Sequence, residues 1–280
     1  MNNKKVWLVT GASKGLGLSL IKQLLSSGYG VAATSRNIQE LTDAVAELAT
    51  TAFLPLTMNL QSEESVGAAV DRTVDYFGNI DVVVNNAGYG LTGALEELSD
   101  AETRANFEVN VFGMLNVIRK TMPYLRKQES GHIFNISSIG GFTGNFPGFG
   151  VYCATKFAVQ GLTESLAAEA KDFNIRATVV YPGYFRTSFL TGDSLRVPEN
   201  PIAAYTAVRS SQEMHEQSIN GNQPGDPEKA AAAMIHVAES EQAPLHLFLG
   251  EDAYNLAQTK IDLVETELEN WKSTTLSTAF

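Results

Sequence analysis

The chain has 280 residues, of which 44% are apolar and 18% charged. That is enough apolar surface for a packed core and too much for a disordered protein. Acids outnumber bases 31 to 20, a net charge of -11 that argues against the basic face of a nucleic-acid binder, and the single cysteine, Cys153, excludes an internal disulfide and fits a reducing compartment.

In chain order, Val6 to Val9 is a short buried strand, too brief for a signal-peptide core. Leu16 to Ser26 places Leu20, Ile21, Leu24 and Leu25 on one helical face, with Gly28 where a C-terminal cap belongs. Gly30 to Ser35 is a second strand, and Asn37 caps a helix through Leu48. Phe53 to Leu56 is the third strand. A helix striped by Val66, Val70, Val74 and Phe77 follows, ended by Gly78, and then a fourth strand from Ile80 to Val84. Ser99 and Glu102 form a capping box that opens one long helix through Leu125. His132 to Ser137 is strand five, Tyr152 to Lys171 a helix, and Arg176 to Tyr181 strand six. Asp226-Pro227 starts a helix to about Glu239, and Leu245 to Leu249 is strand seven.

This alternation predicts an α/β fold: a doubly wound, parallel seven-stranded sheet with helices on both faces, in a single domain spanning residues 1–280. Two segments depart from it. Residues 184–223 contain Pro198 and Pro201 and no clear strand, which suggests a loop or small helical lid over a substrate. Residues 251–272 place Tyr254, Ala257, Ile261, Val264, Leu268 and Trp271 at 3-4-3-4-3 spacing, the seam of an amphipathic helix. That seam either packs on its own domain, the favoured reading, or forms a subunit contact. No segment approaches the roughly 18 uninterrupted apolar residues of a membrane span, so a cytoplasmic protein is expected.

The first 39 residues hold five basic residues and no acid, which points to an anionic ligand there. Within them, Gly11, Ser13, Lys14, Gly15, Leu16 and Gly17 lie in the turn between strand one and helix one. Glycines at such a turn let the backbone approach a pyrophosphate at the positive end of the helix. Asn85-Asn86-Ala87-Gly88 follows strand four; asparagine side chains cross-link backbone there, and Gly88 permits close approach. Tyr152 and Lys156 stand at i, i+4 on one helical face, where an ammonium favours a phenolate and lowers the tyrosine pKa. Ser137-Ser138 ends strand five at the carboxyl edge of the sheet, where ligands bind in such folds. The four histidines show no metal-ligand spacing, so no metal is expected. Cys153 reads as packing rather than a nucleophile.

Together, TGASKGLG, NNAG, Asn110 in VNVFG, Ser138 in NISSIGG, YCATK and PGYFRT resemble the short-chain dehydrogenase/reductase family from about Lys5 to Thr187. The resemblance implies a Rossmann-type fold and a nicotinamide cofactor. It implies Tyr152 as general acid/base and Lys156 as the holder of the nicotinamide ribose. It also implies Ser138 as the hydrogen-bond partner of the substrate oxygen, with Ser137 the less favoured alternative, and Asn110 as the holder of a relay water. Pro182, Gly183 and Thr187 would line the carboxamide, and Asn86, Ala87 and Gly88 the cofactor. Asn59-Leu60 stands where the family often has an acid before the aliphatic residue, with adenine binding expected to survive. The chain also lacks the glycine-rich tail with which many relatives build a tetramer edge, which puts that tetramer in doubt and leaves a homodimer as one possible assembly.

Strand two ends in Thr34-Ser35-Arg36-Asn37, with no acid to grip a ribose 2′-hydroxyl before Glu40. Arg36, helped by Lys14, suits a 2′-phosphate, so NADP(H) is expected, with NAD the alternative. The substrate expected is a bulky apolar carbonyl compound or alcohol. It would meet Phe142, Phe146, Phe149, Tyr184 and Phe189, unless those rings simply fill the core. The function expected is NADP(H)-dependent carbonyl reduction or alcohol oxidation. The alternatives are an epimerase or dehydratase on the same fold, or a non-catalytic NADP-binding protein.

Overall fold

The computed structural model describes residues 4–48, 51–192 and 194–280; the lid expected over 184–223 therefore includes one position, 193, outside the described residues. The strands are β1 (Val6–Val9), β2 (Gly30–Ser35), β3 (Phe53–Thr57), β4 (Val82–Asn85), β5 (Gly90–Leu91), β6 (Gly131–Ile136), β7 (Ile175–Pro182), β8 (Leu195–Arg196) and β9 (His246–Leu249). The helices are α1 (Gly15–Ser26), α2 (Ile38–Ala44), α3 (Glu63–Phe77), α4 (Asp100–Phe107), α5 (Met114–Gln128), α6 (Gly150–Ala170), α7 (Thr206–Glu213), α8 (Pro227–Glu239), α9 (Glu251–Asn270) and α10 (Lys272–Leu276).

Seven strands form one parallel sheet in the order β3-β2-β1-β4-β6-β7-β9. The order reverses between β1 and β4, which opens a crevice at their carboxyl ends. Both faces are covered, so β1 and β4 are buried at every position, with apolar runs rather than alternation. On one face Trp7, Leu20, Ile21, Leu24 and Met234 pack α1 and α8 against the sheet. On the other, Leu8, Val70, Val117, Leu125 and Leu166 hold α3, α5 and α6.

The expected caps are present. Ser99 and Glu102 form a reciprocal capping box, and Asn37 accepts from the amides of Gln39 and Glu40. Asp226 accepts from Glu228 ahead of Pro227, and Gly78 closes α3 in the left-handed region.

Three expectations need correction. The helix expected from Ser99 to Leu125 is interrupted by a π-helical stretch over Glu108–Gly113. Residues 184–223 do carry a strand, β8, which pairs with β5. They also form α7 and a π-helical turn over Met214–Ile219, anchored by the buried carboxylate of Glu97. That carboxylate accepts from the amides of Ala94 and Ile202 and pairs with Arg209 at 2.7 Å. Finally, α9 does not lie down on its own domain. Only Ala253 and Ala257 are buried, whereas Tyr254, Ile261, Val264, Leu268 and Trp271 are exposed. All eight charged residues of α9 and α10 lie off the seam, on the remaining faces or in the first turn, and beyond Ala257 the apolar stripe stays open to solvent. Among the described residues no helix is long and apolar enough to cross a membrane.

Candidate active site

A cleft of about 1020 Å³ runs along the carboxyl edge of the sheet. One end is lined by the glycine turn, Arg36 and Asn59; the other by Ser138, Tyr152 and aromatic rings. Gly11 and Gly15 in the turn have φ of +63° and +54°. A Cβ on Gly11 would stand 2.7 Å from the Ala87 Cα, so the loops after β1 and β4 touch backbone to backbone. Asn86 fastens them. Its amide donates to the carbonyls of Thr10 and Gly11 at 3.0 and 2.9 Å, while the Thr10 hydroxyl accepts from the amides of Asn86 and Ala87. The Asn86 side chain is therefore spent on the glycine turn, and what it offers a ligand is shape.

Helix α1 starts at this turn with no side-chain cap and no acid in its first turn. An uncapped helix N-terminus at the cleft floor suits a pyrophosphate, so the residues present fit a dinucleotide. Leu16 is in that first turn and Ser13 shares a 3.3 Å contact with the Ser35 hydroxyl. Arg36 is exposed and, among the described residues, has no ion-pair partner; Lys14 pairs with Glu40 at 3.3 Å. Glu40, noted in the sequence only as the first acid beyond strand two, lies in the first turn of α2 and lines this end of the cleft. The Asn59 side chain accepts from the Gln61 amide, and Leu60 lines the cleft beside it.

At the other end, α6 is clamped to β6. The Ser137 hydroxyl donates to the Lys156 carbonyl at 2.8 Å, and Lys156 Nζ donates to the Ile136 carbonyl at 2.9 Å. Both serines line the cleft, but Ser137 is committed and buried; Ser138, the less buried of the two, accepts from the Gly140 amide at 3.1 Å. Asn110 lies in the π-helical stretch. It accepts from the Tyr89 amide and donates to the Tyr89 carbonyl and the Thr155 hydroxyl. Gly88 lies between Asn110 and Lys156: its Cβ would be 3.0 Å from Asn110 Oδ1 and 3.5 Å from Lys156 Nζ. Pro182 and Gly183 end β7, and Thr187 stands across from Gly15.

Burial pushes the Tyr152 phenol well above its ordinary pKa, with Ser138 beside it pulling the other way. Burial also pushes Lys156 down to about 8. The expectation that the ammonium lowers the tyrosine pKa is therefore corrected for the protein alone. Lys156 Nζ stands 5.8 Å from the Tyr152 ring centre, and burial is the leading influence on each of the two groups.

Phe146, Phe149, Tyr184 and Phe189 line the cleft as expected. Phe142 does not: its ring packs edge-on against Tyr181 and Phe248, 5.7 and 5.1 Å away, and belongs to the cluster under the foot of α9. His215, which sequence reasoning left unassigned, lines the cleft from the π-helical turn over Met214–Ile219 and meets the Tyr184 hydroxyl at 2.8 Å. Only the tertiary fold, bringing together residues 31 apart, reveals it. Cys153 is buried, and burial pushes its thiol up to about 11, as suits a packing residue.

A family model described as short chain dehydrogenase matches residues 5–195. An oxidoreductase of Botryotinia fuckeliana is 35% identical over 98% of this chain and 99% of its own length. A 3-ketodihydrosphingosine reductase of Bacteroides thetaiotaomicron is 34% identical, covering 88% of each chain. The crystal structure of a short-chain dehydrogenase from Streptomyces avermitilis superposes with a TM-score of 0.89 at 36% identity, over 98% of this chain and all of that one. With the crevice at the strand-order reversal and the glycine turn facing it, these matches place the chain in the short-chain dehydrogenase/reductase family. It is accordingly an oxidoreductase acting on alcohol and carbonyl groups, with a nicotinamide dinucleotide as cofactor.

Gly11→Ala tests the contact between the two loops. The added methyl meets Ala87 backbone and the positive φ strains it, so the variant should lose about 1–3 kcal/mol of stability. Nicotinamide dinucleotide binding should weaken with it. Calorimetry and fluorescence titration check both.

Proposed function

We propose that the chain is an NADP(H)-dependent reductase of bulky, largely apolar ketones or aldehydes, running in reverse as a secondary-alcohol dehydrogenase. The observation that carries this reading is the combination of Arg36, without an ion-pair partner among the described residues, at one end of the cleft and a buried Tyr152 among aromatic rings at the other. A bound nicotinamide dinucleotide supplies or accepts the hydride. In reduction the Tyr152 phenol gives its proton to the substrate oxygen as hydride reaches the carbonyl carbon, and Ser138 donates a hydrogen bond to that oxygen. Lys156, fixed on the Ile136 carbonyl, holds the ribose hydroxyls. Asn110, through the π-turn, holds the Tyr89 backbone and the water that resupplies the proton. Pro182, Gly183 and Thr187 shape the nicotinamide end, while Ser13, Asn59, Leu60, Ala87 and Gly88 shape the rest of the groove. Phe149 and Phe189 stand 6.3 and 6.0 Å from the Tyr152 ring and make the apolar wall.

Tyr152→Phe should abolish turnover while leaving NADPH binding intact, since the ring stays and the proton carrier goes. Burial keeps the phenol protonated, so wild-type reduction should be flat near neutral pH. Alcohol oxidation needs the phenolate and should climb with pH, by about tenfold per unit at the steepest. A flat oxidation profile, or residual kcat above a few per cent in Tyr152→Phe, removes Tyr152 from the role.

Arg36→Ala should raise KM for NADPH by the equivalent of about 1.5–3 kcal/mol and leave KM for NADH nearly unchanged. The Lys14–Glu40 pair beside it lowers the net positive charge there, so Arg36 carries the discrimination. Equal losses with both cofactors would assign Arg36 to the surface and the enzyme to NAD.

The assembly proposed is a homodimer through α9. With Ile261 and Leu268 at a positions and Val264 and Trp271 at d, parallel pairing sets Lys260 against Glu265, and Glu267 against Lys272, of the second copy. From Ile261 to Trp271 the seam is exposed and its flanks are complementary to themselves. Lys260→Glu combined with Lys272→Glu puts acids on every flank, and light scattering should then find monomers where the wild type gives dimers. A wild-type monomer, or a dimer unmoved by the two changes, contradicts the assignment.

A further inference from the structure

At the reacting end of the cleft stands a polar pair that hydride transfer does not use. Tyr184 follows the Pro182–Gly183 turn, and His215 sits in the π-helical turn of the lid. Tyr184 Oη lies 2.8 Å from His215 Nε2, and His215 Nδ1 lies 2.7 Å from the Ser211 carbonyl oxygen. A carbonyl oxygen only accepts, so Nδ1 carries a proton. Burial lowers the His215 pKa below its ordinary value and keeps the ring neutral, leaving Nε2 with a lone pair. The direction of the second bond follows: Tyr184 donates and His215 accepts.

This fixes what Tyr184 can offer a ligand. Its only hydroxyl proton is committed to His215. Burial first, and the neighbouring Asp252 next, push the phenol up to about 12, so it stays un-ionised. What remains is lone-pair capacity on a neutral oxygen at the cleft wall. The position is held from both ends. The lid holds the hydroxyl, and Asp252 in the first turn of α9 accepts from the Tyr184 amide at 2.7 Å. An aromatic ring adjoins the pair: Phe149 lies 6.3 Å from the Tyr152 ring and 4.6 Å from that of His215, bridging the reacting phenol and the polar pair.

We infer that the Tyr184–His215 pair is an acceptor subsite, selecting carbonyl substrates that carry a hydrogen-bond donor, a hydroxyl or amino group, close to the reacting carbon. The inference rests on the reading of the cleft as a carbonyl-reducing site. An acceptor left without a donor on ligand binding is desolvated for nothing, and such a site rejects the analogue that lacks the donor more strongly than an apolar wall rejects an extra group.

The test is a matched set of aryl ketones: unsubstituted, with an α-hydroxyl, and with that hydroxyl methylated. Wild-type kcat/KM, followed by NADPH oxidation, should favour the hydroxy ketone over its methyl ether by about 10- to 100-fold. Tyr184→Phe should bring that ratio close to one. His215→Leu removes the acceptor of the Tyr184 proton, so the phenol becomes a donor and the preference should move toward the ether. A loss of packing alone would not produce that reversal. Turnover of the unsubstituted ketone with a hydroxy-to-ether ratio near one, or a ratio that Tyr184→Phe leaves in place, overturns the subsite alone. No turnover of any ketone in the set overturns the reading of the cleft and the subsite with it.

Discussion

The clamp between the end of β6 and the first turns of α6 is the constraint on which the reacting end of the cleft depends. Two hydrogen bonds cross it in opposite senses, Ser137 to the Lys156 carbonyl and Lys156 to the Ile136 carbonyl. Gly141 lets the backbones close: a Cβ there would stand 2.6 Å from the Lys156 carbonyl oxygen. The clamp fixes the rotation of α6, and with it the direction of Tyr152 one turn earlier. It also buries the Lys156 ammonium, whose burial lowers its pKa, while the burial of Tyr152 itself raises that of the phenol. Proton affinity at the site is thus set by desolvation, and any ligand that brings charge into the cleft acts on a poised pair.

The dinucleotide end obeys a different rule, in which backbone does the work. The two loops at the sheet's reversal point are joined by Asn86, and α1 points its uncapped end between them. Little side-chain chemistry is needed except at the rim, where Arg36 and the Lys14–Glu40 pair set the charge. The substrate end is the reverse: side chains from four separate elements form its walls. The foot of α9 supports those walls by holding the Tyr184 backbone through Asp252 and packing Ala253 and Ala257 against the segment that carries Phe142 and Phe146. A helix whose far half is exposed is therefore seated against the active-site wall at its near half, so an assembly through the exposed stripe would rest on the same element that orients Tyr184.

The parts legible in the sequence are those whose signal is local. Buried parallel strands read as apolar runs, the capping box at Ser99 declared its own helix, and the glycine turn and the i, i+4 spacing of Tyr152 and Lys156 each lie within a few residues. What escaped depended on distance along the chain. The π-helical stretch around Asn110 has no distinctive composition; Phe142 and Phe146 are four apart and identical, yet one is drawn into the aromatic stack with Tyr181 and Phe248 and the other lines the cleft. His215 was indistinguishable from any surface histidine until the fold brought it to Tyr184. The α9 stripe was seen correctly as a stripe, but its periodicity carries no information on what, if anything, within the domain lies opposite it.

The central claim is that the cleft moves a hydride between a nicotinamide and a carbonyl carbon while Tyr152 supplies the proton. Following the label from NADPH deuterated at the transferring position of its nicotinamide, with a bulky aryl ketone, tests it most directly. The account predicts one deuterium on the carbinol carbon of a single enantiomer, in amount equal to the NADPH consumed, and none on the product hydroxyl after exchange into water. An alcohol without carbon-bound deuterium, or product formed with no net loss of NADPH, would contradict it.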